Sequence, residues 1–283
     1  MTTFNSILLL VEKGVSKLLR PILKNTFHKR FISDDFFEQL CTQINRETGK
    51  TSALFLVSDE LEERLDQISL DRDMKVVLIG KSDRDFTEPE ISILRSIKKT
   101  TFFVQNLNVA ESSNIKLLPI GIEGMRWAKN GLSFAFRKPF IRKVEQKHDL
   151  LVGPFRLTHT ERKELLAVAA RYKAGRIIDE ALPSVIYDRV ATKYRFVACP
   201  RGNGLDTHRF WETLYRGCVP VLIESHWSRT LRGYGLPIVE LSAWADLAAF
   251  DAKNIEIALQ DSSFLKTSWW ASRLRTLANR ASF

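Results

Sequence analysis

A single stretch, Tyr194 to Glu224, constrains the fold more than any other part of this chain of 283 residues. It begins with a short apolar run that Pro200 closes, as is typical of a buried strand. A loop with two glycines follows, then a short helical pattern, and Val219 to Ile223 form a second apolar run. The order of strand, glycine loop, helix and strand is typical of a parallel sheet covered by helices, so we predict an α/β fold.

The loop and the first helical turn of this stretch carry the side chains of a phosphate site. A helix N-terminus presents unpaired N–H groups and a partial positive charge, which favour an anion. Arg201 and Arg209 flank this N-terminus, and guanidinium groups match the geometry of phosphate oxygens. Gly202 and Gly204 allow a tight turn or the close approach of the backbone to a ligand. The pattern therefore predicts phosphate binding.

The other polar residues of the stretch have roles that follow from their positions. Asn203 and Asp206 shape the loop, and either Asp206 or Thr207 can cap the helix. Glu212 follows His208 by four residues, so both side chains project from one helix face. The carboxylate of Glu212 can accept hydrogen bonds from ribose hydroxyls, and His208 can contact a phosphate or a sugar attached to it. Together these groups suit a sugar nucleotide diphosphate.

Two further observations bear on this site. Arg156 lies in the loop after an earlier predicted strand, and the topology of a parallel sheet directs it toward the same crevice. A simpler alternative is that Arg209 and Glu212 pair with each other on a solvated helix face, which is the usual fate of such charges. Two glycines and two arginines in one strand–loop–helix context favour the phosphate interpretation.

The segment from Phe196 to Val221, with the sequence FVACPRGNGLDTHRFWETLYRGCVPV, resembles the donor-site motif of exostosin-like glycosyltransferases. Leu150 to Arg162 are similar to the first strand and helix of the same domain, weaker similarity extends back to Val76, and residues 1–50 are not covered. The resemblance implies a compact GT-B architecture, in which two Rossmann-like domains face a cleft. It also implies a nucleotide-diphosphate-sugar donor and inversion at the anomeric carbon, with a glycan or lipid-linked acceptor.

An inverting reaction needs a base for the acceptor hydroxyl in the domain opposite the donor. Asp83 is the first candidate for this base and Glu123 is the second. Arg201, Arg209 and the backbone N–H groups near Thr207 are expected to stabilise the departing diphosphate, because preorganised positive groups at developing charge contribute strongly to catalysis. These four side chains are the predicted catalytic residues.

Two D-x-D patterns, at residues 71–73 and 83–85, raise the question of a metal. Metal-dependent glycosyltransferases of the other main fold use such a pair to hold a divalent ion against the diphosphate. In this chain the arginines and the helix terminus already supply positive charge. We therefore predict metal-independent activity, with the nucleotide sugar as a substrate and no further cofactor.

Alternating apolar runs and helical patterns divide the chain into three parts. Residues 1–50 are predicted to form an N-terminal helical segment, residues 51–147 an acceptor-side Rossmann-like domain, and residues 148–283 a donor-binding Rossmann-like domain with a C-terminal helix. Ligands of parallel sheets bind beyond the carboxyl ends of the strands. The predicted acceptor-side lining at these ends comprises Ser58, Asp59, Lys81, Ser82, Asp83, Asp85, Gln105, Asn106, Gly121 and Glu123.

Composition limits the partners and the compartment. The formal net charge of +10 predicts anionic company, which nucleotide phosphates, nucleic acid or an acidic membrane would each provide. Three cysteines without metal-site spacing argue against a disulfide framework. The chain has no apolar run of transmembrane length and no convincing signal-peptide cleavage site, so we predict a cytoplasmic protein.

Two basic segments leave alternatives open. Residues 4–23 place apolar side chains at helical spacing with Lys13, Lys17 and Arg20 on the polar side, so this amphipathic helix either packs on the protein or lies on an anionic membrane. Residues 127–147 interleave basic and aromatic side chains, as binders of single-stranded nucleic acid do. No recognition module accompanies them, and we expect no nucleic-acid partner. The alternative functions are a non-catalytic GT-B module and a protein that binds an anionic polymer or nucleic acid.

Overall fold

The structure, a computed structural model, describes residues 7–12, 14, 15, 18, 30–123, 136, 148–255, 257 and 263–279. Two parallel sheets organise these residues, which confirms the predicted α/β fold. Parallel sheets are buried on both faces, and their strands accordingly read as nearly continuous apolar runs. In the described helices, no segment is long and apolar enough to cross a bilayer.

The first sheet has four strands in the order β1-β2-β3-β4. Its strands are Ala53–Val57 (β1), Val76–Gly80 (β2), Thr101–Val104 (β3) and Ile115–Leu117 (β4). The helices of this part of the chain are Asp34–Thr48 (α1), Leu61–Leu70 (α2) and Glu88–Ser96 (α3). Every residue of β2 is buried, which explains why its sequence is a continuous apolar run.

The second sheet has five strands in the order β6-β5-β7-β8-β9. Its strands are His148–Val152 (β5), Arg176–Ile177 (β6), Tyr194–Ala198 (β7), Val219–Ile223 (β8) and Val239–Leu241 (β9). The helices that follow β4 in the sequence are Thr160–Tyr172 (α4), Ser184–Ala191 (α5), His208–Tyr215 (α6), His226–Gly233 (α7) and Thr267–Ala278 (α8).

Local sequence explains where several helices begin and end. The side chain of Ser33 accepts a hydrogen bond from the N–H of Phe36 and so caps α1, which ends at Gly49 in the left-handed conformation. Glu90 accepts a hydrogen bond from the N–H of Thr87 and completes a capping box at the start of α3. These signals are short-range, so these helix ends can be predicted from the local sequence.

Two predicted segments have a different outcome. The sequence predicts a helix over residues 254–260, but residues 254, 255 and 257 are not helical, and the other residues of that segment lie outside the described part. The basic segment 127–147 also lies outside the described part except for Phe136, which packs against Phe31 and Tyr215. Residues 7–12, 14, 15 and 18 of the predicted amphipathic segment have helical backbone.

Helix α8, which follows the second sheet in the sequence, packs on the first. The ring of Trp270 meets Phe37 of α1 and Phe103 of β3 at centroid distances of 5.1 and 5.8 Å. Arg275 Nε lies 2.8 Å from Glu47 Oε2 at the end of α1. The terminal aromatic side chains are therefore packing residues, and they brace the first sheet.

Candidate functional site

A cleft of about 710 Å³ opens at the carboxyl ends of β5 and β7. One wall comes from the loop after β5, the start of α4, the loop between β7 and α6, and α6 itself. Asp83, Ile120 and Glu123 line the cleft from the first half of the chain, and so do Leu9 and Glu12. All of the predicted donor-site residues except Arg201 line this cleft: Arg156, Gly202, Asn203, Gly204, Asp206, Thr207, His208, Arg209 and Glu212.

Arg209 projects into the cleft from the first turn of α6. Its guanidinium donates to the hydroxyl of Tyr187 at 2.6 Å and to the carbonyl oxygen of Pro154. The charged group also lies over the rings of Phe155 and Tyr187. These partners are neutral, so they hold the guanidinium in place without cancelling its charge.

Arg162 is a cleft residue that the sequence analysis missed. It lies in the first turn of α4, where its Nε donates to the carbonyl oxygen of Arg201 at 2.8 Å and its Nη1 to that of Arg156 at 2.7 Å. Burial, and next the positive charge of Arg209, lower the pKa of Arg162. An arginine in the first turn of the helix after a parallel strand repeats the position of Arg209, and this was the signal available in the sequence.

Arg201 has a different environment from the other arginines. Its Nη2 lies 3.0 Å from Asp85 Oδ2, in the loop after β2, and also donates to the carbonyl oxygen of Asn203 at 3.0 Å. The backbone N–H of Leu205 donates to Asp85 as well. Arg201, which the sequence predicts to bind phosphate, therefore links the loop that contains Gly202 and Gly204 (the glycine loop) to the loop after β2.

Gly204 and Asp206 extend this contact between the loops. Asn106, at the end of β3, is buried; its Oδ1 accepts from the N–H of Asp206 at 2.7 Å, and its Nδ2 donates to the carbonyl of Ser82 at 2.7 Å. A Cβ on Gly204 would lie only 2.5 Å from Asn106 Oδ1. In the structure, the absence of a side chain at position 204 makes room for Asn106.

Asp206 is buried and does not cap α6; the N-cap is Thr207, whose side chain makes no capping hydrogen bond. The Asp206 carboxyl accepts from the N–H of Ile120 at 2.8 Å and from the indole N–H of Trp211 at 2.6 Å. Burial raises the pKa of Asp206 to about 7, although both hydrogen bonds and the charge of His208 oppose the shift. Asp206 thus joins the loop to the segment after β4.

This pKa predicts a specific dependence of stability on pH. An aspartate in an unfolded chain titrates near pH 3.9, so between about pH 4 and pH 7 the folded protein binds a proton that the unfolded chain has released. The free energy of unfolding of the wild type should therefore fall, relative to that of Asp206→Asn, by up to about 1.4 kcal/mol per pH unit as the pH rises through this window.

Urea unfolding of both proteins at a series of pH values measures this difference. Asn at position 206 cannot accept both hydrogen bonds, so the variant should be less stable at low pH, and the gap should narrow until about pH 7 and then stay constant. Asp66→Asn, a substitution at an exposed position, is the control and should follow the wild type throughout. A gap between wild type and Asp206→Asn that does not change with pH would contradict the prediction.

His208 reaches the cleft from the first position of α6. Its Nδ1 lies 2.9 Å from the carbonyl oxygen of Gly121. Because a carbonyl oxygen only accepts, this bond requires the proton on Nδ1, and a neutral ring then has Nε2 as its acceptor. The bond orients the ring at the boundary between the two halves of the chain.

Glu212 lines the cleft one turn after His208, but its ion pair is with Arg216. Arg216 Nη1 lies 3.1 Å from Glu212 Oε2, and Arg216 Nε lies 2.8 Å from Asp188 Oδ1. All three side chains are largely buried, with Arg216 at 5% exposure. Arg209 and Glu212 therefore do not form the solvated ion pair that was the simpler alternative. Instead, Arg216 binds the Glu212 carboxylate at the edge of the cleft.

Asp83 and Glu123, the two candidate bases, both line the cleft. Asp83 Oδ2 accepts from Asn203 Nδ2 at 3.3 Å, so it faces the loop between β7 and α6. Five of the other eight predicted acceptor-side residues are buried: Ser58, Ser82, Gln105, Asn106 and Gly121. Gln105 Nε2 donates to Asp34 Oδ1 at 2.5 Å.

No model of a protein family matches the chain. A search of curated proteins likewise finds no match.

Proposed function

We propose that the protein is a glycosyltransferase that moves a sugar from a nucleotide-diphosphate sugar to a glycan or lipid-linked acceptor. The supporting observation is an arginine wall, formed by Arg156, Arg162 and Arg209, on one side of the cleft. None of these three forms an ion pair with a carboxylate of the described residues, whereas Arg201 and Arg216 do. Arginines that face a cleft without counter-ions suit a ligand that brings its own negative charge.

The arginine wall would act on the leaving group. As the bond between the anomeric carbon and the diphosphate oxygen breaks, negative charge develops on that oxygen. The hydrogen-bond partners of Arg209 are neutral. Its guanidinium would therefore not have to break an ion pair with a carboxylate before it stabilises this charge. Glu212, fixed by Arg216, would accept hydrogen bonds from the ribose, and His208 would contact the donor sugar or a phosphate.

The acceptor would enter from the side of Asp83 and Glu123. In an inverting transfer the acceptor oxygen attacks the anomeric carbon from the face opposite the diphosphate, and its proton passes to a base. Asp83 is the first candidate for that base because it lines the cleft and contacts the donor loop through Asn203. Glu123 is the second candidate. Neither step of this proposal requires a metal ion.

The proposal includes the architecture and the compartment. The two parallel sheets would be the two Rossmann-like domains of a compact GT-B architecture, with the cleft between them. Nucleotide sugars are available in the cytoplasm, and a reducing cytoplasm is compatible with Cys41, Cys199 and Cys218, which are buried and form no disulfide among the described residues.

A thermal-shift series with nucleotide sugars tests the proposal. We expect one of the UDP-, GDP- or dTDP-sugars to raise the melting temperature in EDTA, since saturation at 100 times the dissociation constant stabilises a protein by about 2.7 kcal/mol. CMP-sugars carry one phosphate and should stabilise less, because they offer the arginine wall fewer oxygens.

Three outcomes would count against the proposal in different ways. The absence of a shift with every diphosphate sugar would reject the donor site. A shift that requires Mn²⁺ would reject metal independence. A shift without transfer or hydrolysis of the bound sugar would favour a non-catalytic GT-B module.

A further inference from the structure

An exposed apolar face lies on the N-terminal helical residues. Half of the ten large apolar side chains that are exposed in the described part of the chain fall within residues 7–18. They are Ile7, Leu10, Val11, Val15 and Leu18, and Leu10 and Leu18 are 67% and 78% exposed. We name these five residues the apolar stripe. Exposed apolar side chains that are concentrated on one short segment indicate an interaction site.

The apolar stripe follows the geometry of a helix. Spacings of three and four residues place its members on one side, and Leu9 and Glu12 fall on the opposite side. Both of these residues line the cleft, and the carboxylate oxygens of Glu12 accept from the N–H of Ser184 at 3.0 and 3.2 Å. The inner side of the helix is therefore attached at the cleft mouth, and the apolar stripe faces away from it.

The charge of residues 1–30 indicates which kind of partner the apolar stripe binds. Residues 1–30 contain a single acidic residue, Glu12, which the contact with Ser184 already uses. Six basic residues accompany it: Lys13, Lys17, Arg20, Lys24, Lys29 and Arg30. Apolar side chains combined with basic and no free acidic groups are the composition of helices that lie on anionic bilayers.

We propose that the apolar stripe docks on the surface of an anionic membrane, with the cleft mouth held beside the bilayer. A second copy of the chain is the less suitable occupant, because it would place the same basic segment opposite its own. This inference does not depend on glycosyl transfer, since it rests on exposure, helix geometry and charge alone.

Vesicle flotation of the full-length protein tests the docking surface. We expect the wild type to float with vesicles of phosphatidylcholine and phosphatidylserine, and to bind pure phosphatidylcholine more weakly. The double variant Leu10→Glu/Leu18→Glu should reduce the bound fraction about tenfold or more, because it removes apolar contacts and adds negative charge. Leu70→Glu, which changes an 80% exposed leucine on α2, is the matched control and should bind like the wild type.

The outcomes separate the membrane from other occupants. Equal flotation of the wild type and the double variant, or no flotation of the wild type with anionic vesicles, would overturn the proposal. A wild type that is dimeric, with a double variant that is monomeric and unchanged in flotation, would assign the stripe to a second copy. Both substituted positions are exposed, so the thermal unfolding of the double variant should match that of the wild type and exclude misfolding as the cause.

Discussion

Arg209→Ala is expected to lower kcat/KM about 100- to 1,000-fold with the nucleotide sugar that stabilises the wild type. A loss of this size, about 2.7–4 kcal/mol, is typical when one preorganised group is removed from developing charge. In the proposed reaction Arg209 meets this condition, because its guanidinium faces the cleft and is positioned by the hydroxyl of Tyr187 and the carbonyl oxygen of Pro154. Donor binding is the second measurement. The thermal shift that the nucleotide sugar produces in the wild type should largely disappear in Arg209→Ala.

Three comparison variants test whether the loss of rate is specific to the guanidinium of Arg209. Arg209→Lys keeps the charge but loses the planar fork, so it should recover only part of the rate. Arg229→Ala removes an exposed arginine that pairs with Glu224 and should leave the rate within about twofold.

Arg201→Ala breaks the pair with Asp85, so it should lower stability more than Arg209→Ala does and reduce donor affinity less. If Arg201→Ala instead abolishes donor binding while Arg209→Ala retains it, the assignment of the phosphates to the arginine wall is wrong.

Gly204→Ala is expected to destabilise the protein by about 1–3 kcal/mol, the usual cost of forcing atoms into a packed region. The new Cβ would lie 2.5 Å from Oδ1 and 2.8 Å from Cγ of Asn106. That side chain cannot withdraw easily, because it is buried and bonded to both Asp206 and Ser82. Relief of the clash would separate the glycine loop from the end of β3.

Denaturant midpoints with constant slopes measure this loss. Gly233→Ala is the matched control, since a Cβ at that position at the end of α7 meets no heavy atom within 4 Å. It should change the free energy of unfolding by no more than about 0.5 kcal/mol. A Gly204→Ala protein as stable as the Gly233→Ala protein would show that the loop tolerates a side chain, and that position 204 does not require glycine.

The sequence by itself determined the parallel α/β class and placed most of the predicted donor-site side chains at one cleft, although it missed Arg162. These follow from short-range physics: apolar runs mark buried strands, capping residues mark helix ends, and the carboxyl ends of parallel strands bring their loops together. For this reason His208, Arg209 and Glu212 were predicted at one cleft and all line it.

Only the tertiary structure decided which of these side chains face the cleft without a counter-ion. Arg201 and Arg209 look alike in the sequence, but Asp85 neutralises the first, and the second has neutral partners. Gly204 reads as a phosphate-loop glycine, yet it makes room for Asn106. The physical reason is that charge pairing and close packing depend on residues about 100 positions away, and no local pattern specifies their distance.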